Sequence, residues 1–255
     1  MIEDKLNKYG DQVSYDNCGV AFKYTDRCAV LVVPHTDDEH FLTASFLFNY
    51  KKTIYLFVTH SNDTINKETW LRQSEMFKQS IEIVNNYRIK NNYEGLVIPI
   101  LFNCADFNGM YSYARKFVHG KIEELLDRVD KIDYYVTTIK STHQSHTECN
   151  DIALSMMRSP YIEKCKTILL GTYPQSIYGL AYSDEYDSLN TYVPMTKEQV
   201  DITCDIIGNV YGEKNYPNSI LGSEHFKEML KFYGNCISTE YAQPYKNIRH
   251  KITLD

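Results

Sequence analysis

A chain of 255 residues with 43% hydrophobic and 24% charged side chains is long enough to bury one substantial core. A net charge of −6 with no long basic run argues against a nucleic-acid-binding surface, and no apolar stretch approaches the roughly 18 residues a membrane-spanning helix needs. Residues 1–12 are polar and charged, so no secretory signal is expected, and the seven cysteines, lacking any Cys-x-x-Cys, read as reduced thiols of a cytosolic protein.

The first strong element is Cys28–Val33, six small or branched apolar residues without polar alternation, as in an inner strand of a parallel sheet. Pro34 ends it. A helix is predicted over Phe41–Phe48 and a strand over Thr53–Thr59. Trp70, Phe77, Ile81 and Val84 fall at helical spacing within a longer helix, about Lys67 to Arg88. Leu96–Phe102 reads as a strand despite Pro99, Phe117–Val129 as a helix and Tyr134–Ile139 as a strand. Another helix is expected from near Thr147, and a strand over Thr167–Leu170. This alternation predicts an α/β fold, a Rossmann-like parallel sheet flanked by helices on both faces. Beyond about residue 172 the pattern loosens, with helices near Lys197–Tyr211 and Glu224–Tyr233. That region is expected to cap the working edge of the sheet within a single domain of residues 1–255. The 22 tyrosines fit either codon bias or a sugar-binding lining.

Chemistry concentrates just past two of these strands. His35, Thr36, Asp37, Asp38 and Glu39 follow the first, at the carboxyl edge where open α/β sheets bind ligands. His35 and Asp38, three apart at a helix entry, can turn toward one point. An imidazole and a carboxylate suit zinc, whose catalytic sites use three protein ligands and a water, while Asp37 remains available as a base. The plain alternative is a helix start with acids near the positive end of its dipole. Past Ile139 comes His143-Gln144-Ser145-His146. Such a pair also occurs at helix starts without metal. If the two strands are neighbours across the switch point, however, one of these histidines completes a His/Asp/His set.

The two clusters together resemble the de-N-acetylases typified by N-acetylglucosaminyl-phosphatidylinositol deacetylase (the PIG-L family) and the LmbE-like proteins. Their His-Pro-Asp-Asp-Glu motif stands here as His35-Thr36-Asp37-Asp38-Glu39, and their His-x-x-His as His143-Gln144-Ser145-His146. Arg72 and Glu75 match an Arg-x-x-Glu on the long helix, Asp106–Met110 an Asp-x-x-Gly-Met stretch, and Tyr241–Tyr245 a Tyr-Ala-Glu-x-Phe stretch. The chain departs from the pattern at Thr36, where proline is usual, and at Gln243, where an acid is usual. After the second strand, His60-Ser61-Asn62-Asp63 lacks a common glycine.

The resemblance implies a zinc-dependent deacetylase acting on an N-acetylated amino sugar, of N-acetylglucosamine type, or its conjugate. His35, Asp38 and His146 would be the zinc ligands, Asp37 the general base and His143 a donor to the oxyanion or leaving amine. Arg72 and Asp106 would position substrate, although Arg72 fits equally well an exposed pair with Glu75. Two other classes stay open: a metal-dependent hydrolase of another bond, such as a phosphoester using magnesium, and a non-catalytic carbohydrate-binding relative. Magnesium prefers oxygen ligands, which two histidines argue against. The sequence is compatible with an oligomer. His40 follows the motif but on a helix would point away from His35, and His119, His225 and His250 lack acidic or thiol partners at metal spacing.

Overall fold

A computed structural model describes residues 15–16, 22, 24–60, 67–102, 112–141, 143–172, 189–212 and 222–251. Its strands are β1 (Tyr15–Asp16), β2 (Thr25–Val33), β3 (Thr53–Val58), β4 (Val97–Phe102), β5 (Val129–Thr138), β6 (Cys165–Gly171), β7 (Thr191–Met195) and β8 (Tyr241–His250). The helices are α1 (Asp38–Asn49), α2 (Lys67–Lys90), α3 (Ser112–Leu126), α4 (Gln144–Met156), α5 (Tyr161–Lys164), α6 (Lys197–Asp205) and α7 (Ser223–Cys236). A π-helical turn, Ile206–Val210, prolongs α6.

All eight strands form one sheet in the order β1-β4-β3-β2-β5-β6-β8-β7. The five from β4 to β6 run parallel, bearing out the expected α/β architecture. β2 lies at the centre, fully buried from Cys28 to Val33. Its residues alternate between two cores. Ala29, Leu31 and Val33 meet α1, α2, α6 and α7 on one face. Cys28, Val30 and Val32 meet α3, α4 and α5 on the other. Burial on both faces explains the uninterrupted apolar run. The chain passes outward through β3 and β4, then returns to β5 on the opposite flank of β2, so the topological switch lies between β2 and β5.

The edges depart from the sequence expectation. β8 pairs antiparallel with β6, and β7 antiparallel with β8, where no strands were expected. Prolines hid both. Pro194 sits in the outermost strand, and Pro244 lies one residue short of the β6 ladder, which begins at Gly171–Tyr245, so neither costs the sheet an inner bond. Pro99 is tolerated because, among the described residues, β1 pairs only with Leu101 and Phe102 and nothing pairs with β4 at Pro99 on that side. β5 starts at Val129 rather than Tyr134. Exposed Asp130 and Lys131, between buried Val129 and Ile132, disguised its first residues as loop.

α1 is buried from Asp38 to Phe48. Its end is held by Arg88, fully buried in the last turn of α2. Arg88 donates to Leu47 O and Tyr50 O at 2.8 Å, to Lys52 O at 2.6 Å and to Gly95 O from both Nε and Nη2 at 2.9 and 2.7 Å. Gly95 must lack a side chain, because a Cβ there would meet Thr53 N at 2.2 Å. Among the described residues no helix is long and apolar enough to cross a membrane.

Candidate metal centre

Pro34 breaks β2 at the carboxyl edge, and residues 34–37 bend before α1 begins at Asp38. The Asp38 side chain turns back over this bend. Its Oδ2 accepts from His35 N at 3.1 Å and lies 3.0 Å from His35 Nδ1. The third group arrives from the neighbouring strand: after β5, α4 opens at Gln144 and brings His146 Nε2 to 3.4 Å from the same Asp38 Oδ2. One donor atom each from His35, Asp38 and His146 lies within 4.8 Å of the others, and all three residues are buried.

These three fit a metal on two counts. Tetrahedral ligands about 2.0–2.2 Å from zinc stand roughly 3.3–3.6 Å apart, close to the spacings found here. Asp38 Oδ1 is buried with no hydrogen-bond partner, an arrangement costing about 1–3 kcal/mol unless something satisfies it. Burial pushes the Asp38 carboxyl upward, but attraction to His146 and the hydrogen bonds and charge of His35 outweigh it, so the net shift is downward. Thr138 Oγ1, 3.3 Å from His146 Nδ1, orients that ring with Nε2 toward the centre.

The other predicted residues divide. Asp37 caps α1 but makes no side-chain capping bond, and is half-buried beside the cluster. His143 is exposed at the start of α4, its ring centroid 5.1 Å from that of His35 and 5.2 Å from that of His146. Arg72 and Glu75 both lie on the exposed side of α2, with no ion pair between them among the described residues. Asp106 and the stretch through Met110 lie outside the described residues, as do Ser61–Asp63.

Two residues escaped the sequence reading. His60, fully buried just past β3, stands 2.8 Å from Thr59 Oγ1 through Nδ1 and 3.2 Å from Glu148 Oε2 through Nε2. Its ring centroid is 6.3 Å from that of His35. A histidine at the carboxyl end of a buried strand was the available signal, the same one that marked His35. Glu39 is buried too; its Oε1 accepts from Ser80 at 2.9 Å and from the Tyr211 hydroxyl, tying the start of α1 to α2 and to the end of the π-helical turn. Burial pushes the Glu39 carboxyl well up, only partly countered by the Tyr211 and Ser80 bonds. His40 bonds Ser80 at 2.8 Å on this same side, consistent with its exclusion from the site. Cys149 is a packed helix residue whose thiol burial pushes up to about 12.

Gln243 bridges Phe41 O and Ser45 N, both at 2.8 Å, so it braces α1 from β8.

No family profile and no curated protein sequence matches this chain. Solved structures do match its fold. N,N'-diacetylchitobiose deacetylase from Pyrococcus horikoshii aligns with a TM-score of 0.54 at 12% identity, covering 88% of this chain and 84% of its own. A zinc-inhibited form of teicoplanin deacetylase Orf2 aligns with a TM-score of 0.56 at 10% identity, covering 89% and 100%. GalB, the 4-carboxy-2-hydroxymuconate hydratase from Pseudomonas putida KT2440, aligns with a TM-score of 0.63 at 9% identity, covering 90% and 99%. The fold therefore carries both deacetylation and hydration, and the reaction has to be argued from the site.

Proposed function

We propose, from the premise of a chain built on the fold of the LmbE-like deacetylases, that it is a zinc-dependent hydrolase removing acetyl from an N-acetylated amino sugar or its conjugate. The observation carrying this reading is the convergence of His35, Asp38 and His146, from two strand ends, on one buried point with an unsatisfied carboxylate oxygen. When bound, zinc supplies Lewis acidity that makes water a usable nucleophile near neutral pH and polarises an amide carbonyl.

In this reading His35, Asp38 and His146 hold the ion, and Thr138 fixes the imidazole of His146. Asp37, at the mouth of the bend, accepts the proton of the attacking water. As that water's oxygen bonds the acetyl carbon, His143 stands on the exposed rim to donate to the carbonyl oxygen or to the departing nitrogen. The C–N bond breaks, the amine leaves with a proton returned by Asp37 or His143, and acetate remains. The set of two imidazoles favours zinc over the magnesium a phosphoesterase of this kind would use.

The test is acetate release from N-acetylglucosamine and its conjugates by metal-loaded protein, with metal content measured alongside. Amine and acetate in equal amounts are expected. Zinc-loaded protein that releases neither from a broad panel of acetylated sugars would overturn the reading in favour of another reaction on this fold.

A further inference from the structure

We propose that Arg115, in the first turn of α3, is a specificity-determining residue that receives an anionic substituent, phosphate or carboxylate, of the substrate; this rests on the hydrolase reading above. Arg115 reaches the centre through Glu148, which lies two residues beyond His146 on α4. Arg115 Nη2 is 3.5 Å from Glu148 Oε1, well beyond the roughly 2.7–2.9 Å of a charge-assisted bond.

Glu148 does not require this arginine. Its Oε1 already accepts from Gln144 Nε2 at 3.1 Å, and its Oε2 faces His60 Nε2 at 3.2 Å. The Arg115 side chain is 43% exposed, and its Nε is buried without a hydrogen-bond partner. A guanidinium offers five donors in a planar fork suited to the oxygens of phosphate or carboxylate. Here that fork shares the Glu148 Oε1 acceptor with Gln144, is loosely engaged there and is partly open to solvent. Glu148 engages the guanidinium at one point, and through His60, whose ring centroid lies 6.3 Å from that of His35, the pair borders the cluster. Arg72, the arginine the motif pattern offered for this task, has no such link to the cluster among the described residues.

The experiment compares N-acetylglucosamine, N-acetylglucosamine 6-phosphate and N-acetylmuramic acid as probes of the zinc-loaded protein, by acetate release and by calorimetric binding. Wild type is expected to show a KM or Kd at least tenfold lower for one of the charged sugars than for the neutral one; which sugar it is distinguishes phosphate from carboxylate. Arg115→Gln should weaken that charged sugar at least tenfold more than the neutral sugar, chiefly in KM rather than kcat. Arg115→Lys, which keeps the charge beside Glu148 but not the fork, should recover part of the loss and guards against a mere folding defect. Equal weakening of charged and neutral sugars, or no discrimination by wild type, would overturn the role of Arg115 while acetate release still upheld the hydrolase. Charge-dependent binding lost in Arg115→Gln, with no acetate from any sugar, would instead uphold Arg115 and overturn the deacetylase.

Discussion

His146 Nε2 lies 3.4 Å from Asp38 Oδ2, though one residue follows β5 and the other begins the helix after β2. Two groups so distant in sequence meet because β2 and β5 are neighbours in the sheet. His146→Ala removes the only member of the trio drawn from β5 and α4. It should weaken zinc by more than the roughly 10–100-fold typical of losing an outer-shell partner, measured by competition with a chromophoric chelator. Full zinc occupancy in this variant at stoichiometric metal would refute His146 as a ligand.

Asp37 is adjacent to the trio but not part of it. Asp37→Asn is therefore expected to lower kcat by about 10²–10⁴-fold while zinc content stays at the wild-type level. Retained turnover would remove Asp37 from the role of base; lost zinc would make it a ligand.

Arg88 is a purely structural prediction. Burial lowers its pKa to about 10, so it stays charged at neutral pH, and it donates five hydrogen bonds to four carbonyls, three between the end of α1 and the start of β3 and one, Gly95 O, just before β4. Arg88→Met should cost about 3 kcal/mol or more in urea unfolding, since those acceptors lose their donors inside the protein. Arg88→Lys should recover little of it, because a single ammonium cannot span all four.

Gln243 stands where the motif it resembles has an acid, and here the amide serves as both donor and acceptor. Its Nε2 donates to Phe41 O and its Oε1 accepts from Ser45 N, and the residue is 1% exposed. Gln243→Glu would set a carboxylate oxygen against a carbonyl 2.8 Å away. A loss of about 2 kcal/mol is expected, visible in thermal melting. A variant as stable as wild type would show that α1 does not depend on this brace.

The parallel centre of the sheet was legible because Cys28–Val33 and Thr53–Val58 are apolar on both faces, which leaves no other comfortable place for them. The edge strands β7 and β8 were not, since their residues alternate irregularly, contain proline and are strands only by virtue of what lies beside them. In the same way His35 and Asp38 could be paired by spacing alone, being three apart. Glu148, His60 and Arg115 lie on three separate elements, and no local spacing relates them.

Residue order along the chain determined which segments are strands of the inner sheet, which polar clusters follow them, and that imidazoles and carboxylates of zinc-binding type sit at those ends. These are local matters, decided by periodicity and by proline. Only the tertiary structure decided that β2 and β5 adjoin, and hence that His146 meets the pair of His35 and Asp38, with Arg115 brought beside Glu148. Strand neighbours are chosen by the packing of whole faces against helices, a sum over distant contacts that no short window of sequence contains.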